Sequence, residues 1–216
     1  MKKLIIYLSI LLSGCQGAAI AQQQVIKHKA YTTYYNPKIK GPDSVSWDLT
    51  PAMVSCGKVT RVDMFAQDPA LNKKGPKPKD FVQISNDKAQ EGAKGHLFSF
   101  EDAQCDPVNR RECFYVDQMY WQYQKFNAGD WKTIEVYERQ LASKGIIHVI
   151  AGYIGIAQTI QKTGIIIPKQ MYKAIYCQGH WQCWIMPNLP TSEGHPYQYW
   201  LVASLASFDA QTGLKL

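Results

Sequence analysis

Apolar and polar residues alternate with period two in Val45-Ser46-Trp47-Asp48-Leu49 and in Val59-Thr60-Arg61-Val62-Asp63-Met64-Phe65, the signature of strands with one buried face. The period lengthens after Asp130. Trp131, Ile134, Glu135, Glu138, Arg139 and Leu141 recur at helical spacing, which predicts a helix capped by Asp130 and stopped at Lys144-Gly145. Ile146-Ile147-His148-Val149-Ile150-Ala151 is a short β-branched run and predicts a buried strand. Ile165-Ile166-Ile167-Pro168, Met171-Tyr172-Lys173-Ala174-Ile175-Tyr176 and Tyr199-Trp200-Leu201-Val202-Ala203 predict three more. Strands on both sides of a central helical region indicate an α+β fold rather than a βαβ array.

Three stretches fall outside this pattern. Lys2 and Lys3 precede the apolar run Leu4 to Leu12, too short to span a bilayer, so residues 1–21 read as an export signal. Two processing sites compete within it. Ala19-Ile20-Ala21 is an A-x-A cleavage pattern, whereas Leu12-Ser13-Gly14-Cys15 resembles a lipobox whose Cys15 would carry a lipid anchor. The expected destination is the periplasm or the medium by one route and the outer membrane, as a lipoprotein, by the other. Residues 22–44 are polar, with Asn36-Pro37 and Gly41-Pro42, and are expected to form an extended arm; a single domain then covers 45–216. Lys73-Lys74-Gly75-Pro76-Lys77-Pro78-Lys79 is expected to be a solvated loop.

With 46% hydrophobic and 19% charged residues among 216, the chain can bury a core and is not disordered. A formal charge of +7, from 24 Lys and Arg against 17 Asp and Glu, favours anionic partners without naming one. Export places the cysteines in an oxidising compartment. Their spacing suggests the pairs Cys105–Cys113 and Cys177–Cys183, leaving Cys56 single. The segment from Cys177 through His180 to Cys183 also fits zinc ligation by C-x-x-H-x-x-C; the disulfide is preferred because no fourth ligand is suitably spaced.

No phosphate-binding P-loop, G-x-S-x-G elbow, G-x-G-x-x-G turn or H-E-x-x-H pair occurs in the chain, which argues against the enzyme classes those motifs serve. His96 in Ala93-Lys94-Gly95-His96, and the block Asn127, Trp131, Glu135, Arg139 at four-residue spacing, hold the remaining chemistry. If the helix extends back to Asn127, an amide oxygen, a carboxylate and a cation lie along one slowly turning stripe. Taken singly, these residues are an ordinary cap, a surface ion pair and a structural histidine.

Together they resemble the sugar-nonspecific DNA/RNA nucleases of the ββα-metal fold, the group containing endonuclease G. The family's N-x-x-x-W-x-x-x-E-x-x-x-R segment is matched by Asn127, Trp131, Glu135 and Arg139, and its R-x-D-x-F by Arg61-Val62-Asp63-Met64-Phe65. The D-R-G-H segment is altered to Ala93-Lys94-Gly95-His96. The upstream T-N-x-x-P-Q becomes Asp117-Gln118-Met119-Tyr120-Trp121-Gln122, where Gln118 could replace the amide. The resemblance implies a central mixed or antiparallel sheet with flanking helices, and His96 as general base. It further implies Asn127 as ligand of Mg²⁺, with Mn²⁺ or another divalent cation as substitutes, Glu135 supporting, and Arg61, Lys94 and Arg139 facing phosphate. The expected activity is hydrolysis of DNA and RNA with little sequence preference, falling as salt rises. Two other readings stay open: a catalytically silent relative that binds nucleic acid at the envelope, and a disulfide-braced envelope protein with no nucleic-acid role.

Overall fold

A computed structural model describes residues 23–216; the export signal, both processing sites and Cys15 lie outside them. Its frame is a six-stranded antiparallel sheet in the order β1-β2-β3-β6-β7-β8. The strands are β1 (Gln24–Lys27), β2 (Tyr31–Asn36), β3 (Gly41–Leu49), β6 (Ile147–Thr159), β7 (Ile166–Cys177) and β8 (His180–Pro187). A separate ribbon pairs β4 (Gly92–His96) with β5 (Met119–Tyr123).

Register fixes which residues share a face. Trp47 lies opposite Val149, and Val149 opposite Ile175, so all three point into the main core together with Trp131 and Ile134. Alternate residues on β7 and β8, among them Tyr172, Ala174 and Ile185, face the other way and pack against Phe208 of α6 (Leu205–Thr212). The sheet is therefore covered on both sides, and Lys173, sharing the face of Met171 and Ile175, is driven into the main core. Short helices α1 (Pro51–Val54), α2 (Phe100–Ala103), α3 (Pro107–Glu112) and α4 (Gln124–Phe126), and the longer α5 (Lys132–Ala142), complete the α+β architecture.

Several expectations are corrected. Residues 22–44 are no free arm: Tyr31, Thr33 and Tyr35 alternate on one buried face, and the segment forms β1, β2 and the start of β3. Val59 to Phe65 alternates as a strand would but has no ladder partner; the nearest pairing is the bridge of Ala66 with Tyr115. Val62 and Met64 are exposed and Val59 and Phe65 pack on the core, while the partly exposed Arg61 and Asp63 border a cavity together with Phe65. The two strands expected over 165–176 are one, β7, because Lys169 and Gln170 continue the ladder. The late strand at 199–203 is instead a 3₁₀ turn, Tyr197–Trp200, followed by one bridge from Leu201 to Trp184.

The cysteine pairing also differs. The disulfide joins Cys56 to Cys105 across 49 residues, leaving Cys113, Cys177 and Cys183 as free thiols. Cys177 lies opposite His180 and Cys183 opposite Ala174, an odd offset that sends the two sulfurs to opposite faces of the sheet. Cys177 packs on the main core and Cys183 on the Phe208 side, which rules out both their disulfide and the zinc reading. Closing a loop of this length is worth about 4 kcal/mol by chain entropy and less where the unfolded chain is compact. The double variant Cys56→Ser/Cys105→Ser should lose about 2–4 kcal/mol of unfolding free energy in a guanidinium titration, whereas Cys177→Ser should leave the midpoint nearly unchanged.

Candidate active site

His96 is the last residue of β4, and the chain around it is held from two directions. Gln118 accepts from the backbone N–H of Leu97 at 2.9 Å and of Phe98 at 2.8 Å through Oε1. Its Nε2 donates to the carbonyls of Phe98 and Cys113 at 3.1 and 2.6 Å. The carboxamide is fully buried and satisfied at both ends, the amide function anticipated for it. From the other side the indole N–H of Trp131 donates to the His96 carbonyl at 3.1 Å. Gly95 lets Gln122 pack over the ribbon, since a Cβ there would lie 2.1 Å from the Gln122 side chain. The imidazole itself sits between the rings of Phe65 and Phe114, with centroids 5.6 and 5.4 Å away.

The helix begins earlier than expected, at Gln124, and contains a π-helical segment over Asn127–Trp131 before α5. A π turn holds more residues than an α turn, so Asn127 is not in simple four-residue register with the positions that follow. Trp131 turns fully into the core, while Asn127, Glu135 and Arg139 all face the cavity. Asp130 is not an N-cap. Its buried carboxylate accepts from Ser192 Oγ at 2.6 Å and from the His195 backbone N–H at 2.6 Å, tying the 192–195 loop to the π segment. Burial opposes ionisation of Asp130, but these bonds outweigh it and hold the carboxyl below its usual range.

A cavity of about 400 Å³ collects every expected site residue: Arg61, Lys94, His96, Asn127, Glu135 and Arg139 all line it. The Lys73–Lys79 loop does not. Burial and the nearby Arg61 and Lys94 charges depress the His96 pKa to about 3 against the opposing pull of Asp63, so the ring is neutral at physiological pH. Its Nε2 is buried and has no hydrogen-bond partner. Glu135 is pushed up to about 7 by burial, although Lys173 and Arg139 pull the other way.

Arg139 is held in place by Asp102, which accepts from Nη1 at 3.1 Å, and by Ser99 Oγ at 3.3 Å. Behind them Lys173 donates to Glu138, both side chains wholly buried, and its ammonium lies 4.7 Å from the centroid of the Trp131 ring. Lys94 rests over Phe65 at 4.7 Å, and Arg61 pairs with Asp63 at 2.7 Å. Asp63, Ser99, Glu101, Gln124 and Lys132 also line the cavity, and Asp102 supports it, beyond the residues expected. Asp63 lay inside the quoted R-x-D-x-F and could have been chosen; Ser99 and Asp102 carry only a helix-cap signal, in which Ser99 accepts from the Asp102 N–H.

The residues at the cavity fit a hard divalent cation. Neither the Asn127 carboxamide nor the Glu135 carboxylate is taken up by another described side chain, and both are oxygen donors on one wall. No thiolate lines the cavity.

These features match the comparisons with known proteins. A solved structure of endonuclease G in complex with the inhibitor EndoGI superposes with a TM-score of 0.70 at 22% identity, over 91% of this chain and 86% of that one. At that identity the likeness establishes the fold, including the ββα-metal arrangement of ribbon and helix. No curated protein matches. The family model for DNA/RNA non-specific endonucleases matches residues 16–216, nearly the whole chain, and the protein belongs to that family of nucleases.

Proposed function

We propose that the protein is an exported, Mg²⁺-dependent endonuclease in which His96 is the general base and Asn127 the protein ligand of the metal. One observation carries this reading: a neutral imidazole with an unpartnered Nε2 shares a single 400 Å³ cavity with a free carboxamide, a buried carboxylate and four cations. Export is supported by the N-terminal signal pattern and by the Cys56–Cys105 disulfide, a bond that persists in oxidising compartments.

His96 takes a proton from the attacking water, a task for which its neutral form is required. Asn127 would hold the metal, with the Glu135 carboxylate as a second oxygen donor on the same wall. When bound, Mg²⁺ would supply neutralisation of the negative charge that develops at the phosphate. Arg61, Lys94 and Arg139 bind the phosphate. Lys94 does so as a point charge without the fork an Arg offers, whereas Arg139 arrives already oriented by Asp102 and Ser99. A bound phosphate also offsets the Arg61 and Lys94 charges, which raises the His96 pKa while burial continues to lower it. Contacts of this kind address the nucleic-acid backbone, so DNA and RNA are both substrates and sequence preference is weak. The alternative, a silent nucleic-acid-binding relative, draws on Ala93 standing where the family has an acid.

Incubation with plasmid and Mg²⁺ separates the two: cleavage abolished by EDTA supports the enzyme, and retention on DNA without cleavage supports the silent relative. His96→Ala should fold normally and lose about 10²- to 10⁴-fold in cleavage rate; a fully active variant would overturn the assignment. Trp131→Phe keeps an aromatic ring but leaves the His96 carbonyl without its donor, and should reduce stability by about 1–3 kcal/mol together with the rate. In the inactive Asn127→Ala protein, the His96 ring resonances should not titrate between pH 5 and 8 and should shift upward in pKa when a short oligonucleotide is added. Titration near 6.5 in the free protein would contradict the buried, cation-flanked site. Because the folded pKa lies below the unfolded one, His96 opposes folding only as pH falls below about 6.5.

A further inference from the structure

A second cluster of ligand-type side chains lies apart from the cavity. His28 occupies the turn between β1 and β2, Asp68 the loop that leaves the Arg61 segment, and Asp117 the short turn Val116–Gln118. None of them lines the cavity. The His28 ring is 3.4 Å from Asp68 Oδ2 and 3.7 Å from Asp117 Oδ2 through Nε2, and one ligand atom from each of the three lies within 4.8 Å of the others. Asp68 and Asp117 are 2% and 0% exposed. Asp68 spends Oδ1 capping the turn Pro69–Leu71, accepting from the Ala70 N–H at 2.8 Å, and leaves Oδ2 free. His28 Nε2, Asp68 Oδ2 and both oxygens of Asp117 are buried without a hydrogen-bond partner. The hydroxyl of Thr33, fully buried on β2 and likewise unpartnered, is directed at Asp117.

We propose that His28, Asp68 and Asp117, with the Thr33 hydroxyl beside Asp117, form a second, structural divalent-metal site of the Zn²⁺ class. Two carboxylates and a neutral imidazole balance a dication, whereas without one the three buried carboxylate oxygens left unpartnered have only the His28 ring to offset them. The separations point the same way. Ligands about 2.0–2.2 Å from Zn²⁺ in a tetrahedron stand roughly 3.4 Å apart, close to the 3.4 and 3.7 Å observed. Imidazole in a set of few ligands suits Zn²⁺ rather than Ca²⁺, which takes six to eight oxygens. Placed there, the ion joins three segments distant in sequence: the β1–β2 turn, the loop following Arg61, and Asp117, whose neighbour Gln118 holds the backbone of Leu97 and Phe98.

The test uses the Asn127→Ala protein, in which the cavity has lost its proposed metal ligand. After EDTA treatment and dialysis against Zn²⁺, elemental analysis should find one equivalent retained, and the thermal midpoint should rise by about 5–10 °C at a hundredfold excess over the dissociation constant. Co²⁺ in place of Zn²⁺ should give the intense visible bands of a four-coordinate site, a readout that needs no substitution in the cluster. Asp117→Asn in the same background should lose the equivalent, the bands and the thermal shift together. Absence of retained Zn²⁺, of Co²⁺ bands and of any midpoint change would reduce the cluster to an imidazolium–dicarboxylate ion triad. Six-coordinate, weakly absorbing Co²⁺, or an equivalent that survives in a folded Asp117→Asn protein, would equally overturn the site.

Discussion

The backbone at His96 is the constraint on which the site depends. His96 ends a two-stranded ribbon, an element with little stability of its own. Its position is set by groups that belong to neither strand's ladder: the Gln118 carboxamide, which fastens the two residues that follow, and the Trp131 indole, which holds the histidine's own carbonyl. Both are fully buried, where hydrogen bonds are strongest and a missing partner is most damaging. Trp131 thereby links the ribbon bearing His96 to the helix bearing Asn127, Glu135 and Arg139.

Beneath that link lies an unusually polar core. Lys173 and Glu138 are wholly buried, Asp102 is buried behind Arg139, and Lys173 faces the rings of Trp131 and Trp47. Such pairs give little net stability, since desolvation offsets most of the Coulombic gain. Their effect is electrostatic. The Lys173 and Arg139 charges draw the Glu135 carboxyl down against the burial that raises it, which keeps a carboxylate accessible near neutral pH in a site otherwise too dry to hold one.

The amount legible in the sequence follows from how local each signal is. The α+β class, the β6 core and the helix through Arg139 rest on periodicity over neighbouring residues, and they are present. All six anticipated site residues meet at one cavity: Glu135 and Arg139 as an i, i+4 pair on α5, Asn127 across the π turn, and Arg61, Lys94 and His96 from segments outside the helix. Errors arise where partners are distant. The aromatic alternation of Tyr31 and Tyr35 was hidden by flanking turn residues, so a sheet edge reads as an arm. Val59 to Phe65 carries strand periodicity but has no ladder partner. The π turn leaves no mark in hydrophobic spacing, and Asp130 looks like a cap because its partners, Ser192 and His195, lie more than sixty residues on. Cysteine spacing likewise favours short loops, whereas the real bond closes a long one.

That long bond has a meaning beyond stability. Cys56 lies just ahead of Arg61, and Cys105 just beyond Asp102, the acid that orients Arg139. One covalent link therefore joins the wall that carries Arg61 to the wall that carries Asp102, the support of Arg139 on α5. In a reducing compartment thiols stay unpaired, and a newly made chain there lacks the strut between those walls. The spacing of those two walls is in this way tied to the redox state in which the bond forms.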